Sequence, residues 1–569
     1  MPHTAQLIPS ADPKVASSTS FDVAVIGAGI LGSVLAYSLA HSGRRVLLLE
    51  RDLSEPGRIV GELLQPGGVA ALRQLGIDDV LDGIDAVPCD GYQVFWGDRS
   101  VPIPYPDEEA AARWANEEEE DVDAEPKQDG EKKSKVPRTQ GRSFHHGRFI
   151  QNLRRRAAGA PGVTLVEATV NDLLTDVEGT ITGVRATPRS PPSSTSSDSS
   201  SPTDSSPLEF KATLTIVADG CMSKFRRALL PSHVAPTTKS HFVGLVLEDA
   251  DLPAPHHGHV ILRKADPSAA PASKEAEDPT APSLGPILVY QLSSTPSETR
   301  MLLDIRGPKL PPAPSLPSFL STHASPFIPP SILPSFRRAL EKAQSLDPEV
   351  RKAYRLRSMP NSWLPPYPQG RDVQGALLAG DALNMRHPLT GGGMTVAFHD
   401  CVILTSLLGG GKTVGRTKGD KRGPVDLASW YEVSERLEEW HWRRKGVASC
   451  VNVLSLALYS LFAAEDESLE VLKTGCFKYF ELGGDCIEGP VSLLSALRPS
   501  PLLLFYHFFR VAFYSIWCMF TSPVPSTSPS KPAKRPSVAQ YPALTLKSFR
   551  VFWTACVVLL PVLWSEGQM

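Results

Sequence analysis

Residues 22–50 read DVAVIGAGILGSVLAYSLAHSGRRVLLLE. An apolar run stops at a glycine turn, apolar residues then recur at helical spacing, and a second apolar run follows. Strand, turn, helix and strand within about 30 residues are the size of a βαβ unit, so the spacing predicts parallel α/β structure. The turn is Gly27-Ala28-Gly29-Ile30-Leu31-Gly32, a G-x-G-x-x-G placed between strand and helix. Gly27 suits the tight turn, Gly29 lets backbone approach a pyrophosphate, and Gly32 lets helix and strand pack closely. The helix N-terminus adds unpaired N–H groups and its positive dipole end. Glu50 closes the second strand, where a carboxylate accepts hydrogen bonds from a ribose diol. An acid there favours FAD or NAD over a 2′-phosphorylated ribose.

Two later stretches choose between these cofactors. LTIVADG (214–220) and GALLAGDA (375–382) are each an apolar strand ending in a polar turn, which places Asp219, Gly380 and Asp381 at ligand-facing strand ends. The second continues as GDALNMRHPLTGGGMTVAFHD, residues 380–400. A nicotinamide site has little need of a second Gly-Asp turn so far downstream, whereas a flavin must have its ribityl chain and ring held. Asp381 can accept from the ribityl region, and Gly391, Gly392 and Gly393 leave bare backbone for the ring. A helix starting there points its positive end at the flavin and stabilises negative charge on the reduced ring.

The rest of the chain sets bounds. Its 569 residues and net charge of -3 give no global attraction to nucleic acid, and no basic stripe with aromatics is visible. Eight scattered cysteines lack zinc-like or disulfide-scaffold spacing and read as reduced thiols. Residues 1–20 lack an apolar signal core and read as a disordered tail. Four runs, 107–138, 190–207, 265–283 and 409–423, read as surface insertions. The last imitates a phosphate-binding P-loop, but Ser406 stands where that motif needs glycine. The C-terminus turns helical, with apolar blocks at 501–520 and 551–564. The first is long enough to span a bilayer but carries His507 and Arg510, and the second is short, so helices lying in the membrane interface are expected.

With these motifs in place, the chain resembles the single-component flavoprotein monooxygenases related to p-hydroxybenzoate hydroxylase, and among them the squalene epoxidases, especially the fungal ones. The resemblance rests on ERDLSEPGRIVGELLQPGG (50–68), HHGRFIQNLR (145–154), ETRMLLDIRG (298–307), residues 380–400, NVLSLALYSLF (452–462) and CFKYFELGGDCIEGPVSLLSAL (476–497). Asn384 and Thr395 depart from the wider hydroxylase pattern and are typical of squalene epoxidases. The insertions at 107–138 and 190–207 are longer than the family suggests.

The resemblance implies an α/β fold: a Rossmann-like FAD-binding domain, a β-sheet substrate domain and a C-terminal helical membrane-associated region. Its implied segments are 21–90, 145–235 and 351–426 for FAD, 91–144 and 236–350 for substrate, and 427–569 for the helices. It implies FAD contacts from Gly27, Ala28, Gly29, Gly32, Glu50, Arg51, Arg58, Leu63, Arg154, Val170, Asp219, Gly380, Asp381, Gly393 and Met394. Tyr92 and Gln65 are implied near the reacting centre. Tyr92, Ile103, Pro388, Leu389, Leu458, Phe462, Phe477, Phe480, Pro490 and Leu493 are implied around the substrate.

The implied reaction is epoxidation of squalene to (S)-2,3-oxidosqualene with O2 through a flavin C4a-hydroperoxide, in ergosterol synthesis, without a catalytic metal. With no second dinucleotide motif, electrons are implied to come from NADPH-cytochrome P450 reductase. The implied location is the endoplasmic reticulum (microsomal) membrane with the catalytic part facing the cytosol, and lipid droplets as a second site. The adjacent pair His145-His146 reads as structural. The competing readings are another flavoenzyme of this fold acting on an isoprenoid lipid, and a non-catalytic prenyl-lipid carrier.

Overall fold

The computed structural model describes residues 8–117, 138–189, 206–263, 282–295, 297–307, 309–411, 423–462, 466–523 and 535–568. Most of the four expected insertions therefore lie outside the described residues. Within the first of them, Glu108–Glu117 is a largely exposed helix, whose Trp114 ring lies 5.6 Å from the Arg498 guanidinium. The expectation of a disordered tail is corrected from residue 8 onward. Pro13–Ser17 is helical, and Ala16, with Ile8 and Ala11 beside it, joins the main core.

Two sheets carry the architecture. In the six-stranded one, Ser20–Ile26 lies parallel between Val46–Glu50 and Leu208–Val217, so that Val25 faces Leu48 on one side and Ile216 on the other. Val163–Thr175 and Ala376–Leu378 extend the parallel set, while Ile181–Pro188 pairs antiparallel with both Val163–Thr175 and Leu208–Val217. These central strands are apolar on successive residues because helices cover both faces. The parallel arrangement brings Gly27, Asp219 and Gly380 to the same carboxyl edge, where open α/β sheets bind ligands.

The seven-stranded sheet runs Arg357–Trp363, Thr237–Glu248, Glu298–Arg306, Ser283–Ser293, His257–Leu262, Gly91–Trp96, Arg99–Pro104. The strand Arg357–Trp363 belongs here although it falls within 351–426, the segment expected to bind FAD. Strand side chains alternate between faces. Val243, Leu245, Val289, Met301 and Leu303 pack on the helices Leu316–Ala324 and Leu333–Ala343. Phe242, Tyr290, Leu302, Tyr92 and Ile103 face the opposite way, toward the C-terminal helices.

Trp430–Phe462 is one continuous helix of 33 residues, followed by Glu467–Glu481, Asp485–Leu494, Pro501–Thr521 and Tyr541–Gln568. The apolar block 551–564 is thus not a short element, because its polar flank is helical too. Among the described residues three helices are long and apolar enough to cross a membrane: Trp430–Phe462, Pro501–Thr521 and Val538–Glu566. Phe513, Trp517, Phe549, Trp553 and Trp564 are exposed on the last two. His507, by contrast, is buried with its Nδ1 3.0 Å from the Tyr479 hydroxyl, and Arg510 pairs with Asp485.

Candidate active site

The three motif glycines do different work. Gly27 has φ +101°, and a Cβ there would meet the Ala218 carbonyl oxygen at 2.6 Å; one at Gly32 would run into the Gly27 carbonyl. Gly29 differs, since a Cβ there meets no atom within 4 Å, and Gly393 is equally open. Both border a cavity of about 650 Å³.

Glu50 and Arg154 brace the turn. Ala28 N–H donates to Glu50 Oε2 at 2.8 Å and Asp52 N–H to Oε1 at 3.2 Å, while Arg154 Nη2 stands 3.3 Å from Oε2. Arg154 also donates to the carbonyls of Ala28 (2.9 Å) and Ser54 (3.0 Å). Burial pulls this guanidinium below its ordinary value and the Glu50 charge pushes back.

Gly27, Gly29, Glu50, Arg51, Arg58, Leu63, Arg154, Val170, Asp219, Gly380, Asp381, Gly393 and Met394 all line the cavity, as do Tyr92, Pro388 and Leu389. Ala28 and Gly32 stand behind the lining and shape it through backbone. Asp219 Oδ1 is buried without a partner, and burial pushes its carboxyl up. Open backbone at Gly29 and Gly393, the unpartnered Asp219 oxygen and the Arg58 guanidinium suit a ligand carrying phosphate, hydroxyls and a flat ring. Arg226, which the sequence reading missed, joins the two polar turns by donating to the carbonyls of Cys221 (3.0 Å), Asp381 (3.0 Å) and Ala382 (2.9 Å).

Gln65 is fully buried behind the cavity wall. Its Nε2 donates to the Tyr92 hydroxyl and, at 2.7 Å, to the Thr390 carbonyl; the Tyr105 hydroxyl donates to its Oε1 at 2.7 Å. The amide is thereby fixed in one orientation. Tyr92 accepts in that bond and keeps its own hydrogen to donate. Burial pushes both phenols up, so they stay protonated.

Ile103 and Phe477 share one apolar cluster with Tyr92, Leu63 and Leu389, and Leu458, Phe462 and Phe480 pack against it. Leu493 lies elsewhere, with Cys450, Val453, Leu504 and Leu559, and Pro490 sits half-buried inside the helix Asp485–Leu494. The structure therefore does not bring Leu493 to the others, while Val491, next to Pro490, belongs to the same cluster as Ile103 and Phe477.

The histidine pair divides. His145 Nε2 lies 2.7 Å from Glu298, a structural contact, while His146 lines the cavity. Adjacency concealed this difference; the signal available was position, since the first residue of a helix faces differently from its cap. Glu62 and Arg300 form a buried bidentate pair, 2.8 Å in both bonds, with the Tyr290 hydroxyl donating to Glu62 at 3.1 Å. It fastens the 58–63 segment, with Arg58 and Leu63, to the seven-stranded sheet.

A second network supports the 380–394 loop. Arg386 donates to Asn452 Oδ1 (2.7 Å) and Asn384 Oδ1 (2.6 Å), and Asn452 donates to Glu566 Oε1 (2.8 Å). Ser449 donates to the other Glu566 oxygen at 2.8 Å. The last helix is thus wired to the loop beside the cavity.

Sheet order, glycine turn and cavity define the class, an α/β nucleotide-binding enzyme fold with a second, substrate-covering sheet. The solved structure of p-nitrophenol 4-monooxygenase from Pseudomonas putida has this fold, at a TM-score of 0.56 and 16% identity, covering 84% of this chain and 98% of that one. So does pqsL, a probable FAD-dependent monooxygenase from Pseudomonas aeruginosa, at 0.51 and 16% identity over 78% of this chain and 97% of that one.

The family model for squalene epoxidase matches residues 211–275 and 279–531, and a NAD(P)-binding Rossmann-like model matches 25–58. Squalene epoxidase of Schizosaccharomyces pombe is 38% identical over 546 residues, 96% of this chain and 98% of that relative. The Saccharomyces cerevisiae squalene epoxidase is 40% identical over 513 residues, 88% of this chain and 89% of the relative. The chain belongs to the squalene epoxidase family.

Proposed function

We propose that the protein is an FAD-dependent monooxygenase that converts squalene and O2 to (S)-2,3-oxidosqualene in ergosterol synthesis. One observation carries the reading: a single cavity is bordered both by the nucleotide motif and by the buried phenol Tyr92 with its apolar cluster. Bound and reduced, FAD supplies the activation of O2 from which one oxygen atom reaches an alkene.

The protein's own residues do the rest. Glu50 accepts from the ribose, Asp381 from the ribityl chain, and Arg51 and Arg58 stand where cations meet pyrophosphate. Gly393 and Met394 present backbone and side chain to the ring, at the N-terminus of the helix Gly393–Leu408. Leu63, Pro388, Leu389 and the cluster around Ile103 and Phe477 exclude water and hold a hydrocarbon that offers no polar handle. Tyr92, oriented through Gln65, would offer its hydroxyl hydrogen as a hydrogen-bond donor to an oxygen held in the cavity.

Among the described residues three helices of spanning length, each bearing exposed aromatics, support residence at the endoplasmic reticulum membrane, where the lipid-dissolved substrate and NADPH-cytochrome P450 reductase are also found. The test is purified protein in detergent with FAD, reductase, NADPH and squalene under labelled oxygen. Product carrying one labelled atom, and absent without reductase, is expected. Flavin reduction without oxygenated squalene would return the substrate assignment to another isoprenoid lipid.

A further inference from the structure

His146 is 5% exposed, opens the helix His146–Ala158, and lines the cavity. Its Nδ1 lies 2.9 Å from the Gly61 carbonyl oxygen, which can only accept, so the proton is on Nδ1. Burial, reinforced by Arg58 and Arg154, pushes the ring down to about 4, and it is neutral at physiological pH. Nε2 is then a bare acceptor, and among the described residues no protein group donates to it.

The position of the ring says which donor it awaits. Arg154, eight residues along the same helix and so about 12 Å down its axis, meets Glu50 at the ribose end. Gly61, which holds the imidazole, leads into Leu63, whose carbonyl oxygen lies 3.5 Å from where a Gly391 Cβ would sit in the ring-facing loop. His146 therefore stands between the ribose carboxylate and the ring loop. A squalene chain has no hydrogen-bond donor to offer there.

We propose that His146 is a cofactor-binding residue whose Nε2 accepts a hydrogen bond from a ribityl hydroxyl of the flavin nucleotide. This rests on the FAD reading above. Leaving a buried acceptor unpaired, or a ligand hydroxyl unanswered, is worth roughly 1 kcal/mol or somewhat more, hence the expected effect below.

The test titrates FAD into the flavin-stripped full-length protein in detergent, following quenching of flavin fluorescence, with melting of the flavin-free form measured alongside. His146→Leu should raise the FAD Kd about 5- to 15-fold. His146→Gln, which can return an acceptor to the Nε2 position, should stay within about threefold. Both variants lose the Nδ1 bond to the Gly61 carbonyl, so their flavin-free melting temperatures should fall slightly and by the same amount, and the comparison of His146→Leu with His146→Gln isolates the Nε2 contact. An FAD analogue lacking the relevant ribityl hydroxyl should bind wild type and His146→Leu alike. A Kd for His146→Leu within twofold of wild type, or a loss fully explained by a fall in flavin-free melting temperature, overturns the inference. Failure of the wild type itself to bind FAD sinks this inference and the functional reading together.

Discussion

Replacing Glu62 by Leu, or Arg300 by Met, strands one half of a buried ion pair. Both side chains are nearly inaccessible, at 1% and 8%, and the two bonds of 2.8 Å form a bidentate fork. Burial pulls Arg300 down, but Glu62 more than offsets it, so the guanidinium sits above its ordinary value. Removing one member of such a pair costs about 3–5 kcal/mol, because the remaining charge is left uncompensated, while replacing both by apolar groups is often near neutral. The double variant still leaves the Tyr290 hydroxyl without its acceptor, roughly 1–3 kcal/mol. At about 1 °C per kcal/mol for a chain of 569 residues, each single variant should melt roughly 3–5 °C below wild type. The double variant should melt above both singles. Circular dichroism melts of the detergent-purified protein measure this, with retained flavin absorbance as a second reading. Retention should fall in the singles and recover in the double, since the pair holds the segment that carries Arg58 and Leu63. A double variant whose loss equals the sum of the two single losses would mean that the substitutions simply add, and would refute the pairing argument.

Tyr105→Phe should leave flavin content unchanged and lower oxidosqualene formation about tenfold, because the freed Gln65 oxygen is worth roughly 1–3 kcal/mol of orientation; product mass spectrometry checks it. Gly393→Ala should keep the flavin-free melting temperature while weakening FAD retention, since its Cβ enters only the cavity. Gly32→Ala should lose both, since its Cβ meets the Gly27 carbonyl, and melting with flavin absorbance separates the two. Burial pushes His146 and His259 down to about 4. Their stability contribution is therefore complete above the unfolded value near 6.5 and is lost as pH falls toward 4. Between pH 7 and pH 5 each should cost about 2 kcal/mol, so melting of the flavin-free protein should fall over that range, and less steeply in His146→Gln.

Local features of the chain were readable and distant ones were not. The glycine turn and Glu50 lie within one βαβ unit, where spacing dictates geometry, and the openness at Gly29 and Gly393 follows from residue type. Glu62 and Arg300 are 238 residues apart, each an ordinary charged residue on its own, and only the approach of a loop to a sheet pairs them. The strand Arg357–Trp363 has polar Ser358, Asn361 and Ser362 and does not announce itself as sheet, so the expected boundary at 350 cut it away from its partner Thr237–Glu248. Leu493 and Phe477 look alike as apolar helix residues, and helix rotation sends them to different clusters. The block 551–564 appeared short because helical propensity of its polar flank carries no hydropathy signal.

The link from Glu566 through Asn452 to Arg386 and Asn384 alters how a water-soluble version of the chain should be made. Trimming the last helix to shed detergent also deletes the carboxylate that Asn452 answers, and with it the brace under the loop carrying Asp381 and Gly393. The apolar last helix and the cofactor seat form one mechanical unit. A shortened protein that retains its yellow colour would have to keep residues through 566 or supply another acceptor for the Asn452 amide.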